Sequence, residues 1–256
     1  MEKVRYEEML PHEIVARRKR FPAAFMALGG LEWHSEHLAV GNDALKAEKL
    51  CELAAGRSGG FAFPTLWYGE PRVEGLMEVN HDEDGRIKGK MEFKPEKFTR
   101  DYFGTSGQQQ IAFYQQLLHH VLVQLNTLEM RAVCLVCGHY PIAGWAAPAV
   151  EKFNASFADT QAFAATEGGY GPASPEVGVD HAAKWETSHL WYLRPDCVDM
   201  SVYRGRERQP LIGIMGEDPR TEASIEIGRR SCELIVGAVI EKARTLVKKA
   251  SGTPSK

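Results

Sequence analysis

The chain has 256 residues, 31 basic and 34 acidic side chains, a formal net charge of -3 and 44% hydrophobic composition, enough for one large α/β domain or two small ones without covalent staples. So even a balance leaves no basic footprint for nucleic acid or anionic membranes, and no apolar run approaches the ~18 residues of a membrane span. The N-terminus mixes acids and bases before any apolar segment, and the five cysteines form no CxxC or zinc-knuckle spacing, so the expectation is a soluble, cytoplasmic globule with no disulfide framework.

Helical and strand periods then alternate along the chain. Residues 9–19 predict a short basic helix, with Pro11 tolerated in its first turn. Ala23–Leu28 (AAFMAL) is a short apolar run closed by Gly29-Gly30, the pattern of a buried strand. A helix follows over 44–55, then a strand over 60–66, which makes a βαβ unit and implies parallel pairing. Residues 77–93 break the rhythm: two modest strand runs around Asp84-Gly85 predict a hairpin excursion from the sheet. A strong helix is expected over 108–128, a buried strand over Ala132–Cys137, a helix over 145–161 and a short strand over 162–165. Residues 166–183 are a Gly/Pro-rich loop, 186–193 a short helix, 195–203 irregular, and 224–249 a long closing helix. One domain over 1–250 with a flexible tail over 251–256 is the organisation this pattern predicts, in a three-layer α/β/α arrangement around a mostly parallel sheet.

Ligands of open parallel sheets bind at the carboxyl ends of the strands. Three polar groups fall at such ends: Glu32-Trp33-His34 with His37 and Asp43, then Gly138-His139-Tyr140, then Asp180-His181. Carboxylate and imidazole together are a ligand set for zinc, manganese or iron. Glu32 and His34, two apart in an extended segment, point the same way. Asp43 has two readings: the N-cap of the helix that follows it, or a carboxylate giving one oxygen to each of two ions. Each histidine has an ordinary reading as a hydrogen-bonded loop residue; their clustering at three strand ends favours a metal site.

The segment Leu28-Gly29-Gly30-Leu31-Glu32-Trp33-His34-Ser35-Glu36-His37-Leu38 through Asp43 resembles the signature P-V-G-S-x-E-Q-H-G-x-H-L-P-L-x-T-D of the creatininase (creatinine amidohydrolase) family. Further segments fall in the family's order. Phe63-Pro64 through Tyr68-Gly69 is similar to its P-x-x-x-Y-G strand end, and Cys137-Gly138-His139-Tyr140 to its N-G-H-[GY] turn. His181-Ala182-Ala183-Lys184-Trp185-Glu186-Thr187-Ser188 resembles H-A-G-x-x-E-T-S, and Leu193-Arg194-Pro195 through Asp199 resembles L-x-P-x-L-V-D. Gly216-Glu217-Asp218-Pro219 and Gly228-Arg229 resemble the G-D-P…K-G-R stretch, so the match runs from about residue 20 to about residue 240.

The resemblance implies a creatininase-like fold and hydrolysis of a non-peptide C–N bond (a cyclic amide, a formamide or similar) with a divalent metal pair. The metal that the resemblance implies is zinc first, with manganese and iron as alternatives. On the matching positions Glu32, Asp43 and His139 would hold one ion, His34 and the shared Asp43 the second, and His181 would transfer the proton. Tyr140 is read either as a substrate contact or as a packed aromatic. A small-molecule substrate and a homohexamer are the partners the resemblance implies.

Two departures from the family pattern bear on the second ion. Creatininase has a glutamate where this chain has Pro141, and relatives commonly carry an acid where it has Lys184, whose ammonium would repel or replace a cation. The expectation is one ion held firmly and a second weakly or not at all. Glu36 and Glu186 are the acids nearest in sequence to complete that site, although Glu186 reads more readily as a residue that orients the loops of the E-T-S turn. The stretch 176–180 also lacks the tryptophan with which creatininases enclose creatinine, so that substrate is disfavoured; Trp33, Trp67 and Trp145 are alternative lining residues. The competing reading is a degenerate family member that binds a ligand or partner without turnover. A thiol enzyme built on Cys137 is weaker still, because a cysteine ending an apolar strand is usually buried and inert.

Overall fold

A computed structural model describes residues 3–69, 85–97, 100–206 and 208–251. Helix α1 (Pro11–Arg20) starts at a proline, where no amide partner is needed, and Glu13 reaches back to the Leu10 amide at 2.6 Å. Strand β1 (Ala23–Leu28) is buried at all six positions. Helix α2 (Asn42–Ser58) ends at Gly59, whose φ of 85° suits a residue without Cβ, and strand β2 (Phe61–Leu66) follows.

Between β2 and the next strand the sequence expectation of a hairpin fails where it can be checked. Its first run, 77–84, lies outside the described residues. Arg86–Lys90 is a short helix, α3, entered through Gly85 at φ 69°, so the second of the expected strand runs does not form. Helix α4 (Gly107–Thr127) opens with a reciprocal Ser106–Gln109 capping box. Strand β3 (Ala132–Cys137) leads to helix α5 (Tyr140–Ser156) and strand β4 (Gln161–Thr166). The expected α5 over 145–161 is displaced toward its N-terminus because Pro141 occupies the first turn, a position that favours proline. Helix α6 (Lys184–Leu193) and the closing helix α7 (Ile225–Ser251) complete the fold. Of the expected tail, Ser251 is the last helical residue and 252–256 lie outside the described residues.

The four strands are all parallel in the order β2-β1-β3-β4. Alternate side chains serve two cores. Phe25, Ala27, Cys134 and Val136 pack on α2 and α7, while Met26, Leu28, Val133 and Leu135 pack on α4 and α5 through Leu118, Leu122, Ile142 and Phe153. The result is the expected three-layer α/β/α architecture. No helix among the described residues is long and apolar enough to cross a membrane.

In-register pairing aligns the carboxyl ends of the strands: Leu28 stands beside Leu66 and Cys137, and Cys137 beside Thr166. Everything that follows these residues projects from the same edge. Two glycines let α2 enter that edge. A Cβ at Gly29 would lie 2.5 Å from the Ala44 Cα, and one at Gly138 would lie 2.0 Å from the Asp43 carbonyl oxygen.

Candidate metal centre

Asp43 is the second residue of α2, with Gly41 at the N-cap, and its side chain caps nothing. The plain N-cap reading is therefore corrected. The carboxylate instead points into the polar cluster at the strand ends, where it is 1% exposed. Its two oxygens are divided. Oδ2 lies 3.1 Å from His139 Nδ1, on the residue two past the end of β3. Oδ1 lies 3.0 Å from His34 Nε2, on the loop that follows β1.

Glu32, on the same loop, brings Oε1 to 3.4 Å from His34 Nε2, 3.5 Å from His139 Nδ1 and 3.2 Å from His181 Nδ1. Neither Glu32 oxygen meets a donor in hydrogen-bond geometry, although both are buried, and the same holds for His34 Nε2. Buried carboxylates without donors are costly. A divalent cation would satisfy them, so the donor set fits the metal that the sequence implies. Three groupings converge closely enough to share an ion: Glu32, Asp43 and His139; His34, Asp43 and Glu186; and Glu32, His34 and His181.

The electrostatics of the cluster follow from this crowding. Burial opposes charge on Asp43, yet His34 and His139 outweigh it and hold the carboxyl well below its usual range. Burial and the charge of Asp43 push Glu32 up, but His139, His181 and His34 leave it below its ordinary value. Burial lowers the imidazoles in turn, but Asp43 and Glu186 hold His34 well above the usual range, and Asp43 with Glu32 lifts His139 to about 10. The carboxylates that would attract a divalent ion thus also raise the proton affinity of these imidazoles.

His181 sits at the edge of the cluster, its ring 4.5 Å from that of His34. Its Nε2 is 2.9 Å from the Trp33 carbonyl, which can only accept, so Nε2 carries hydrogen and Nδ1 faces the cluster. The backbone around it is pinned by paired bonds between His181 and Met215.

An open cleft of about 370 Å³ exposes one side of this cluster. Glu32, His139 and His181 form one wall; Lys46, Glu167, Glu186 and His189 lie deeper; Tyr140, Pro141, Val179 and Met215 surround the mouth. Tyr140 stands at the mouth, 69% exposed, as the first residue of α5, so the packed-aromatic reading does not hold. None of the described lining residues is a tryptophan: Trp33 donates to the Ile212 carbonyl and Trp145 packs behind His139.

The family model for creatininase (creatinine amidohydrolase) matches residues 7–243 of this sequence. The chain belongs to the creatininase family. Solved structures agree on the fold. A creatininase mutant complexed with creatine superposes with a TM-score of 0.70 at 20% identity, covering 96% of this chain and 99% of that one. A Zn–Zn form of a creatininase mutant gives 0.69 at 20% identity over 96% and 98%. A manganese creatininase gives 0.60 at 22% identity over the same shares. No curated protein matches the sequence significantly. Family membership supports a metal-dependent amidohydrolase, and the relatives' zinc and manganese support a divalent ion as its cofactor.

The creatininase-like site departs from the sequence reading at three places. Lys184 does not enter the cavity: its ammonium pairs with Glu217 at 3.1 Å and lies over the Trp185 ring. Glu36 is held by Lys90 at 2.8 Å and takes no part. Glu186 does both jobs. Its Oε2 accepts the Ala182 amide at 2.8 Å, orienting the loop, and lies 3.4 Å from His34 Nε2. His37 turns away, bonded through Nε2 to Thr187 and through Nδ1 to Tyr203. Sequence reasoning missed Lys46 and Glu167. Lys46 falls three residues after Asp43 on one helical face, and Glu167 directly follows β4, so spacing and strand-end position were the available signals.

Proposed function

We propose that this protein is a divalent-metal amidohydrolase acting on a non-peptide C–N bond of a small molecule. The observation that carries the reading is the divided carboxylate of Asp43, one oxygen beside His139 and the other beside His34. Glu32, Asp43 and His139 would hold one ion, and His34, Asp43 and Glu186 the second. When bound, such ions polarise a carbonyl and acidify water. Zinc is our first choice, with manganese and iron as alternatives.

His181 is the proton carrier in this reading. Its Nε2–H is committed to the Trp33 carbonyl, so Nδ1 alone exchanges protons with the site. Breaking a C–N bond requires a proton on the departing nitrogen, and Nδ1, 3.2 Å from Glu32 Oε1 on a residue that lines the cleft, is the atom that would supply it. Tyr140, Val179 and Met215 at the mouth offer apolar surface to a substrate and limit water. The absence of tryptophan from the described lining supports a substrate other than creatinine.

The competing reading, binding without turnover, rested on Lys184 and Pro141. It loses the first support, because Lys184 points to Glu217, and Glu186 stands where Pro141 contributes nothing. A homohexamer in the cytoplasm belongs to the same proposal and is checked by light scattering and fractionation. The deciding experiment is a panel of cyclic amides, formamides and small linear amides with zinc- or manganese-loaded protein. Metal-dependent release of product on any of them supports the reading; saturable binding with no turnover across the panel returns it to the binding-protein alternative.

A further inference from the structure

Lys46 is the buried ammonium of the site. It is 2% exposed, three residues along α2 from Asp43, with Nζ 2.8 Å from Glu186 Oε1 and 3.0 Å from Glu167 Oε1. Glu167 and Glu186 are themselves 7% exposed. A lone buried ammonium would be prohibitive, and the two carboxylates make it tolerable. This places a fixed positive charge one carboxylate away from the position an ion would take between His34, Asp43 and Glu186.

Among the described residues, the other cluster meets the Lys46 charge only through Asp43, beyond ion-pair distance. Among the described residues, no lysine or arginine lies within ion-pair distance of Glu32, and Asp43 is paired only with His34 and His139. A carboxylate that already neutralises an ammonium offers less to a cation on its other oxygen, and in a buried site that loss is poorly screened.

We propose that Lys46 makes the two metal clusters unequal: its ammonium weakens the one built on His34, Asp43 and Glu186 and leaves the one built on Glu32, Asp43 and His139 strong. This inference rests on the reading of the cluster as a metal centre, and it assigns the inequality to a residue that the sequence comparison does not single out. The role is one of tuning through Glu186, without contact to substrate.

The test is metal binding, measured apart from turnover. Protein stripped with a chelator is titrated with Zn²⁺ by calorimetry, and retained zinc is counted by mass spectrometry after dialysis. The wild-type chain is expected to hold one ion through dialysis and a second with affinity lower by about tenfold or more. Lys46→Met is expected to tighten the second ion by about tenfold and leave the first within a factor of about two. Should Lys46→Met fail to fold because two carboxylates are left unpaired, the Lys46→Met/Glu167→Gln double variant removes the pair together and must still narrow the gap. Two wild-type ions of equal affinity overturn the proposal, as does an unchanged gap in either folded variant. Unequal binding that closes on substitution, in a protein with no amidase activity, sustains this inference while the functional reading fails. A chain that takes up no zinc overturns both.

Discussion

Gly138 carries the end of β3 so close to the start of α2 that a methyl group on its Cα would lie 2.0 Å from the Asp43 carbonyl oxygen. This contact sets the distance between the two residues that face each other across the site, because His139 follows Gly138 and pairs with the Asp43 side chain at 3.1 Å. Gly138→Ala must therefore push α2 and β3 apart. The expected outcome is a loss of roughly 2–4 kcal/mol in urea unfolding, with zinc retention reduced along with it. A variant with wild-type stability and zinc content would show that the contact carries no positional load.

In the proposed assignment Asp43 is shared between the two ions, whereas His139 holds one and His34 the other. Asp43→Asn keeps the shape but removes the charge both sites use. Zinc counted after dialysis should drop to near zero in Asp43→Asn. In His34→Ala only the weakly held ion should be lost, and in His139→Ala the firmly held one. Equal losses in all three variants would mean the ions do not divide as the Asp43 oxygens do.

His181 is assigned proton transfer and is 16% exposed in its side chain, unlike the fully enclosed His34. His181→Asn should lower kcat by about 10²–10⁴ on any substrate turned over, with zinc content unchanged. Because the third grouping brings His181 near Glu32 and His34, a parallel loss of zinc would instead identify it as a ligand.

His189 reports on pH. It is 2% exposed, bonded to Ser231 Oγ at 2.7 Å, and burial followed by the nearby Lys46 charge pulls it from an ordinary value of 6.5 down to about 3. Below pH 6.5 the unfolded chain takes up a proton that the native imidazole refuses. Stability from this group is therefore full above 6.5 and declines as pH falls toward about 3, with a limiting slope of about 1.4 kcal/mol per pH unit. Urea unfolding at pH 7, 6 and 5 should show a shallower decline in His189→Gln than in the wild-type chain. Parallel curves would refute the assignment.

The strands and most helices were legible because their signals are local. Ala23–Leu28 and Ala132–Cys137 are uninterrupted apolar runs ending in glycine, and both form with the expected bounds. The misplaced features had competing local signals. Asp84-Gly85 reads as a hairpin turn, yet Gly85 leads into a helix, and the helix expected from residue 145 begins at Tyr140 because proline at 141 suits a first turn. Within the site, Glu32, His34 and His139 could be picked out because they follow strand ends, and Asp43 and His181 because they stand in family motifs. Lys46 carried only its spacing from Asp43 as a signal, since a lysine on an amphipathic helix looks like any solvated charge until burial is known.

The sequence by itself therefore determined the layered parallel fold, the family and the cluster's chemical type, because alternating apolar periods and short motifs are properties of neighbouring residues. Tertiary structure decided which charges the cluster contains. Lys184 turns outward to Glu217 and Lys46 inward between Glu167 and Glu186, and the sequence holds both as equal lysines. The physical reason is that the effect of a charge depends on its distance from other charges and from water, and here those distances span 140 residues between Lys46 and Glu186.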